Sequence, residues 1–150
     1  MFVDCRINPE TLLKPRSFAG LMTLYESNYI RLVNLIPGLA GIRGTLESAP
    51  ADDVPLRLSI VERTPYTATL SLNYVFRAGD VEQMEPDMQI RVYFDGRLAE
   101  ALCVSDVHID RLLRGQTDGL RDELDSRWAR NVMLNKWLEY CADREHWFSA

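Results

Sequence analysis

Residues 66–77 read Tyr-Thr-Ala-Thr-Leu-Ser-Leu-Asn-Tyr-Val-Phe-Arg, an unbroken alternation. One set is Tyr66, Ala68, Leu70, Leu72, Tyr74 and Phe76; the other is Thr67, Thr69, Ser71, Asn73, Val75 and Arg77. Successive side chains of a strand point to opposite faces, so this stretch has one apolar and one polar face. A parallel strand covered on both sides would be apolar throughout. The chain must therefore build an antiparallel sheet and supply something amphipathic to cover its apolar side.

A second strand is predicted at Leu56–Glu62, with Leu56, Leu58 and Ile60 on one face, and a weaker one at Ile42–Glu47. Val92-Tyr-Phe-Asp95-Gly96-Arg-Leu-Ala99 adds a hairpin, because Asp-Gly between alternating residues favours a two-residue type I′ turn. With that turn, paired residue numbers sum to 191. Val92 then faces Ala99, Ile90 faces Ala101 and Met88 faces Cys103 on the core side, while Arg91 falls opposite Glu100 on the other. The small residues on the second strand leave room for a helix.

Two segments carry the helical period. Phe18, Leu21, Met22, Tyr25, Tyr29, Leu32, Val33 and Ile36 recur at spacings of three and four, with Ser17 as N-cap and Pro37-Gly38 as stop. From Asp118 to Glu145, Leu120, Leu124, Trp128, Val132, Leu134, Leu138 and Cys141 mark one side, with Trp137 beside it. Strands bracketed by helices, without strand–helix alternation, read as α+β. The expected architecture is an N-terminal helix, a roughly five-stranded antiparallel meander, and a long C-terminal helix packed on one sheet face. Residues 1–16, with Pro9 and Pro15 and no period, read as an extended arm; residues 17–150 read as one domain.

The 150 residues hold 47% apolar and 26% charged residues, enough to form a core without disulfides or metal. Seventeen basic residues against 22 acidic ones argue against a nucleic-acid binder, which would carry a basic excess. The excess is local: residues 78–110 carry eight acids against Arg91 and Arg97, a charge of −6, which suits a basic or cationic partner. No run is long and apolar enough to span a bilayer, and the N-terminus lacks the pattern of a secretory signal. Three distant cysteines, Cys5, Cys103 and Cys141, read as reduced thiols in a cytoplasmic protein.

Familiar chemistries find little here. Pro37-Gly-Leu-Ala-Gly41-Ile-Arg-Gly44 follows a helix rather than opening one, so it is a turn and not a phosphate loop. Asp106-Val-His108-Ile-Asp110 places three metal-ligand types on one strand face. At ~3.3 Å per residue its outer carboxylates stand ~13 Å apart. It reads as a solvated strand end, and no metal or cofactor is assigned. With only His108 and His146, a general base would have to be a carboxylate such as Glu62 or Asp95. Trp147-Phe148 suits either an exposed tail or a segment folded back on the domain.

Several segments resemble one family. Leu24-Tyr-Glu-Ser-Asn28-Tyr29-Ile-Arg31-Leu32 followed by Leu35-Ile-Pro37, Ile60-Val-Glu62-Arg-Thr-Pro65-Tyr66-Thr67, Arg91-Val-Tyr93-Phe-Asp95-Gly-Arg-Leu-Ala99-Glu100 and Leu134-Asn135-Lys-Trp137-Leu138-Glu-Tyr-Cys141 are similar to the motifs of the YqiB-like family of small proteobacterial proteins, domain of unknown function 1249. The likeness runs from about residue 17 to 146. It implies a small cytoplasmic protein without established activity or cofactor, whose gene in some enteric bacteria lies beside nucleotide hydrolase genes. Phe94 stands where relatives often have His, Gly119–Arg130 departs from the family pattern, and Asp106-x-His108-x-Asp110 is outside it, so a shared His-dependent catalysis is not implied.

The resulting reading leans away from an enzyme. It is a cytoplasmic binding or adaptor module acting through the polar outer sheet face, with Arg91, Tyr93, Asp95, Glu100, Glu62 and Tyr66 as candidate binding residues. Its partner is a protein, a second copy or a small ligand, with neither nucleic acid nor membrane. The alternative is an enzyme or sensor for a phosphorylated or nucleotide metabolite, with a pocket between sheet and helices lined by Arg91, Glu62 and Asn28.

Overall fold

A computed structural model describes residues 17–104 and 119–149. The N-terminal arm and the Asp106–Asp110 motif lie outside the described residues. Helix α1 (Phe18–Leu35) is followed by a 3₁₀ turn at Leu39–Gly41, strands β1 (Thr45–Ser48), β2 (Leu56–Arg63), β3 (Thr67–Ala78), β4 (Val81–Tyr93) and β5 (Leu98–Val104), then helix α2 (Gly119–Asp143). The five strands form one sheet in the order β1-β2-β3-β4-β5, every pair antiparallel. The expected α+β meander is the observed fold.

Ser17 caps α1 as its sequence position predicts, its Oγ accepting from the Gly20 N–H at 3.0 Å. The buried face of α1 includes Leu24 and Leu35 as well as the expected Leu21, Tyr25 and Leu32, whereas Phe18 in the first turn is exposed. Leu32, Leu35 and Ile36 of the first helical segment and Leu134, Leu138 and Cys141 of α2 enclose one core with Leu58, Leu70, Ile90 and Val92 of the sheet. Ala99 and Ala101 leave room over β5, and both helices contact that strand.

The β4–β5 register keeps the sum of 191 from Tyr93↔Leu98 to Ile90↔Ala101, including Arg91↔Glu100. The turn itself differs from the expected type I′. Phe94–Arg97 form a four-residue loop whose positive φ, 57°, falls on Arg97 rather than on Asp95 or Gly96. Asp95 instead accepts from the Gly96 N–H through Oδ1 at 2.9 Å. Beyond Ile90, Leu102 is an extra residue in β5, so Met88 pairs with Val104 and not with Cys103.

Two further bulges redirect side chains. Val61 is extra in β2, which sets Glu62 opposite Thr69 and turns it from the Leu56–Leu58–Ile60 face to the outer one. The third inserts a residue around Pro86–Asp87 in β4, where Asn73 Nδ2 donates to the Pro86 carbonyl at 3.2 Å and to Asp87 Oδ1 at 3.1 Å. Proline suits such a site because it removes a ladder donor. The weak first strand starts later than expected, at Thr45, because Ile42 belongs to the core and Gly44 turns the chain with φ 78°.

The β5 edge is closed by side chains. Asn28 Nδ2 donates to the Ala99 carbonyl at 3.3 Å and to Asn131 Oδ1 at 3.1 Å. Asn131 Oδ1 also accepts from the Ala101 N–H at 2.8 Å, while its Nδ2 donates to the Arg127 carbonyl. Asn135 Nδ2 completes the network on Asn28 Oδ1 at 3.0 Å. Asn28 and Asn131 are fully buried, and their bonds answer groups that would otherwise be buried without partners.

The tail after α2 folds back. His146 N–H donates to the Cys141 carbonyl and Glu145 N–H to the Ala142 carbonyl, a Schellman closure with Glu145 at φ 65°. Phe148 is buried and donates its N–H to the Leu35 carbonyl, whereas Trp147 is 58% exposed. The two aromatic residues thus have separate fates.

Replacing Asn131 by Ala strands the Ala101 N–H and is expected to cost about 1–3 kcal/mol, read as a lower urea midpoint at unchanged slope. A loss below about 0.5 kcal/mol would mean that the network is dispensable. Glu145→Gly should stabilise by up to about 1 kcal/mol, since only glycine adopts that φ without steric cost; an unchanged or lower melting temperature would contradict this.

Candidate functional site

The outer sheet face, away from the helices, forms a groove of about 660 Å³. Four strands supply its lining: Thr45, Leu46 and Glu47 from β1, Arg57 and Ser59 from β2, Ser71 and Asn73 from β3, Met84 and Asp87 from β4. Alternation brings the odd-numbered residues of β2 and β3 to this face, and the Pro86–Asp87 bulge brings Met84 back to it beside Arg57. Asn73 is buried here without a covering helix.

Its charges are arranged in alternation. Arg57 donates to Glu47 Oε2 through Nη2 at 2.6 Å and Nε at 3.0 Å, and reaches Glu82 Oε1 at 3.3 Å. Arg77 Nε donates to Glu82 Oε2 at 3.0 Å and Nη2 to Glu47 Oε2 at 3.2 Å. The Arg57 hydrogen bond holds the Glu47 carboxyl below its ordinary range against the opposing effect of burial. Hydrogen bonds from Arg57 and Arg77 lower Glu82 likewise. Both guanidinium groups are therefore engaged. Asp87, by contrast, takes only the Asn73 amide and has no cationic partner among the described residues.

Of the residues singled out by sequence, Glu62, Arg91 and Glu100 lie in one row across the outer face, linked through Thr69. Arg91 and Glu100 are opposite but bond elsewhere: Arg91 Nε donates to Thr69 Oγ1 at 3.4 Å, and Glu100 Oε1 accepts from Tyr93 OH at 2.7 Å. Burial, then the Glu100 carboxylate, raise the Tyr93 hydroxyl above its ordinary value. Asp95 and Tyr66 sit in exposed loops at the same end, where the Tyr66 carbonyl accepts from the Phe94 N–H. None of the six lines the groove, which lies further along the same face.

A second polar cluster has no counterpart among the sequence expectations. Trp147 N–H donates to Ser48 Oγ at 3.0 Å, which frees the Ser48 hydroxyl hydrogen for His146 Nδ1 at 3.1 Å. His146 Nε2 then carries the hydrogen that Asp53 Oδ2 accepts at 2.7 Å, and Tyr74 OH donates to the same oxygen at 2.9 Å. Burial raises the Asp53 carboxyl, but hydrogen bonds from His146, Val54 and Tyr74 outweigh it and hold the group below its usual value of 3.8. The nearby Cys141 thiol is pushed up to about 12 by burial and stays protonated, hence unreactive.

The residue types match a nucleophilic triad, but the setting does not. Catalysis needs substrate access to the hydroxyl and donors for the developing oxyanion. Here the His146 side chain is 0% exposed, Ser48 is buried, and the adjacent Trp147 N–H is spent on Ser48 itself. The cluster ties the C-terminal tail to β1 and the following loop. The sequence separation of its members, 98 residues between Ser48 and His146, hid it; the signal available was a lone histidine just past a helix stop.

The architecture and face together define a small α+β protein with an open antiparallel sheet. Residues 31–147 match the pattern of the family described as a protein of unknown function (DUF1249), and the chain belongs to that family. No curated protein and no solved structure matches it. None of the described helices is long and apolar enough to cross a membrane.

The Asp53 pKa is depressed in the folded state, so its contribution is fully present above pH 3.8 and is lost as pH falls through the lower folded value. Asp53→Asn should therefore lower the melting temperature at neutral pH, and its gap to the wild type should narrow on acidification. A gap that is constant from neutral to strongly acidic pH would refute the assignment.

Proposed function

We propose that the chain is a cytoplasmic, non-enzymatic binding module whose outer sheet face receives a partner carrying basic side chains. The observation that carries this reading is the Asp87 carboxylate, without a cationic partner among the described residues, in a polar groove whose one guanidinium group, Arg57, is already held by Glu47 and Glu82. The acidic excess of residues 78–110 points the same way. Arg91, Tyr93, Glu100 and Glu62 extend the surface beyond the groove, with Asp95 and Tyr66 at its rim.

A small-ligand enzyme or sensor with its pocket between sheet and helices is less well supported. Asn28, expected to line that pocket, is fully buried and bonded to Ala99, Asn131 and Asn135.

Fluorescence anisotropy with lysine-rich and glutamate-rich peptides tests the binding reading. The wild type should prefer the lysine-rich peptide, and Asp87→Lys should weaken that binding by about tenfold or more. Equal affinity for both peptides, or an unaffected Asp87→Lys variant, would overturn it.

A further inference from the structure

We propose that the groove selects lysine over arginine: Asp87 and Ser71 receive the ammonium of a partner's lysine side chain, and Asn73 sets that choice. This rests on the binding-face reading and names the side chain that the face takes.

The side-chain donors of the groove are almost all engaged within the protein. Arg57 makes five hydrogen bonds, two to Glu47, two to Glu82 and one to Met84 Sδ, which match its five N–H groups. Asn73 Nδ2 gives its two hydrogens to the Pro86 carbonyl and to Asp87 Oδ1. Ser71 Oγ gives its single hydrogen to Asn73 Oδ1 at 3.0 Å. Thr45 Oγ1 and Ser59 Oγ, paired in register beside Ser71, share one hydrogen at 3.2 Å and keep one to spare.

Acceptors are in surplus. Among the described residues nothing donates to Ser71 Oγ or to Asp87 Oδ2, although each oxygen has lone pairs to offer. The two side chains stand on the neighbouring strands β3 and β4, and Asn73 bonds to both. Charge makes the same demand. Arg57 and Arg77 are balanced by Glu47 and Glu82, so the Asp87 carboxylate is the charge left over. Surplus acceptors around an unbalanced carboxylate call for a cationic donor.

The two oxygens of that carboxylate are unequal. Guanidinium–carboxylate pairs draw strength and direction from two parallel N–H···O bonds. Asp87 Oδ1 already accepts the Asn73 amide at 3.1 Å, so a guanidinium fork meets one open oxygen and one occupied one. An ammonium is a compact charge with three rotatable donors and needs no such fork. It can give one hydrogen to Asp87 Oδ2, one to Ser71 Oγ and the third to water. Met84, 45% exposed in the groove lining, offers a flexible apolar contact to the lysine stem.

The test uses the full chain and labelled peptides of equal length that alternate serine with lysine, arginine or glutamate, read by fluorescence anisotropy. The lysine peptide should bind the wild type about tenfold or more tightly than the arginine peptide. Asn73→Ser, which frees Asp87 Oδ1, should narrow that ratio to about threefold or less by strengthening arginine binding. Ser71→Ala keeps Asp87 and its bond to Asn73, and decides the matter if Asn73→Ser does not fold. It should weaken the lysine peptide about threefold or more, with a smaller loss for arginine. Equal affinity for lysine and arginine, both preferred to glutamate, would overturn the selection while leaving the binding face intact. A lysine preference untouched by either variant would overturn the assignment to Asp87, Ser71 and Asn73. Failure of both cationic peptides to bind better than the glutamate peptide would remove the binding-face reading itself. Displacement of the lysine peptide by spermidine at a lower concentration than by the unlabelled peptide would assign the groove to a free polyamine and overturn the proposed occupant.

Discussion

The contact between two asparagines and the backbone of β5 is the constraint on which the packing of this protein turns. An edge strand under two helices has main-chain groups that neither solvent nor another strand can satisfy. Asn28 and Asn131 answer them with amide groups, one donating to Ala99 and the other accepting from Ala101. Because the partners lie on α1 and α2, this polar link also fixes the helices to the sheet and to each other through Asn135. Hydrophobic contacts under the helices are non-directional. The amides impose geometry on them.

Much of this fold was legible because alternation is a long-range constraint. One turn position near Asp95-Gly96 sets the pairing of Arg91 with Glu100 and of Val92 with Ala99, and the structure keeps those pairs despite a different turn. Each single-residue insertion escaped. Val61 and Leu102 look like ordinary members of alternating strands, yet each shifts the pairing of the residues after it. Glu62 changes face for that reason alone. The polar outer face was equally legible, including Thr69, Ser71 and Asn73. Its deepest part was not, because the groove depends on the Pro86–Asp87 bulge and on a shape that sequence does not encode locally.

The tail cluster shows the same limit from another side. Ser48, Asp53, Tyr74, Cys141 and His146 have no common spacing, and only the completed fold assembles them. Their arrangement also shows why residue identity alone does not make a catalyst. Serine, histidine and aspartate are hydrogen-bonded in sequence, but the hydroxyl is held by a backbone donor and the imidazole is sealed from solvent. Tyr74 joins this cluster to the core through ring contacts with Trp137 at 5.6 Å and His146 at 5.8 Å.

The closed β5 edge of the sheet has a consequence for assembly. A sheet open on both sides can propagate, each added strand exposing a fresh edge to the next molecule. With β5 stoppered by asparagine amides, growth at that edge is blocked. On the β5 side of the molecule the sheet therefore has an end fixed by Asn28 and Asn131, and repeated edge-to-edge addition is stopped there.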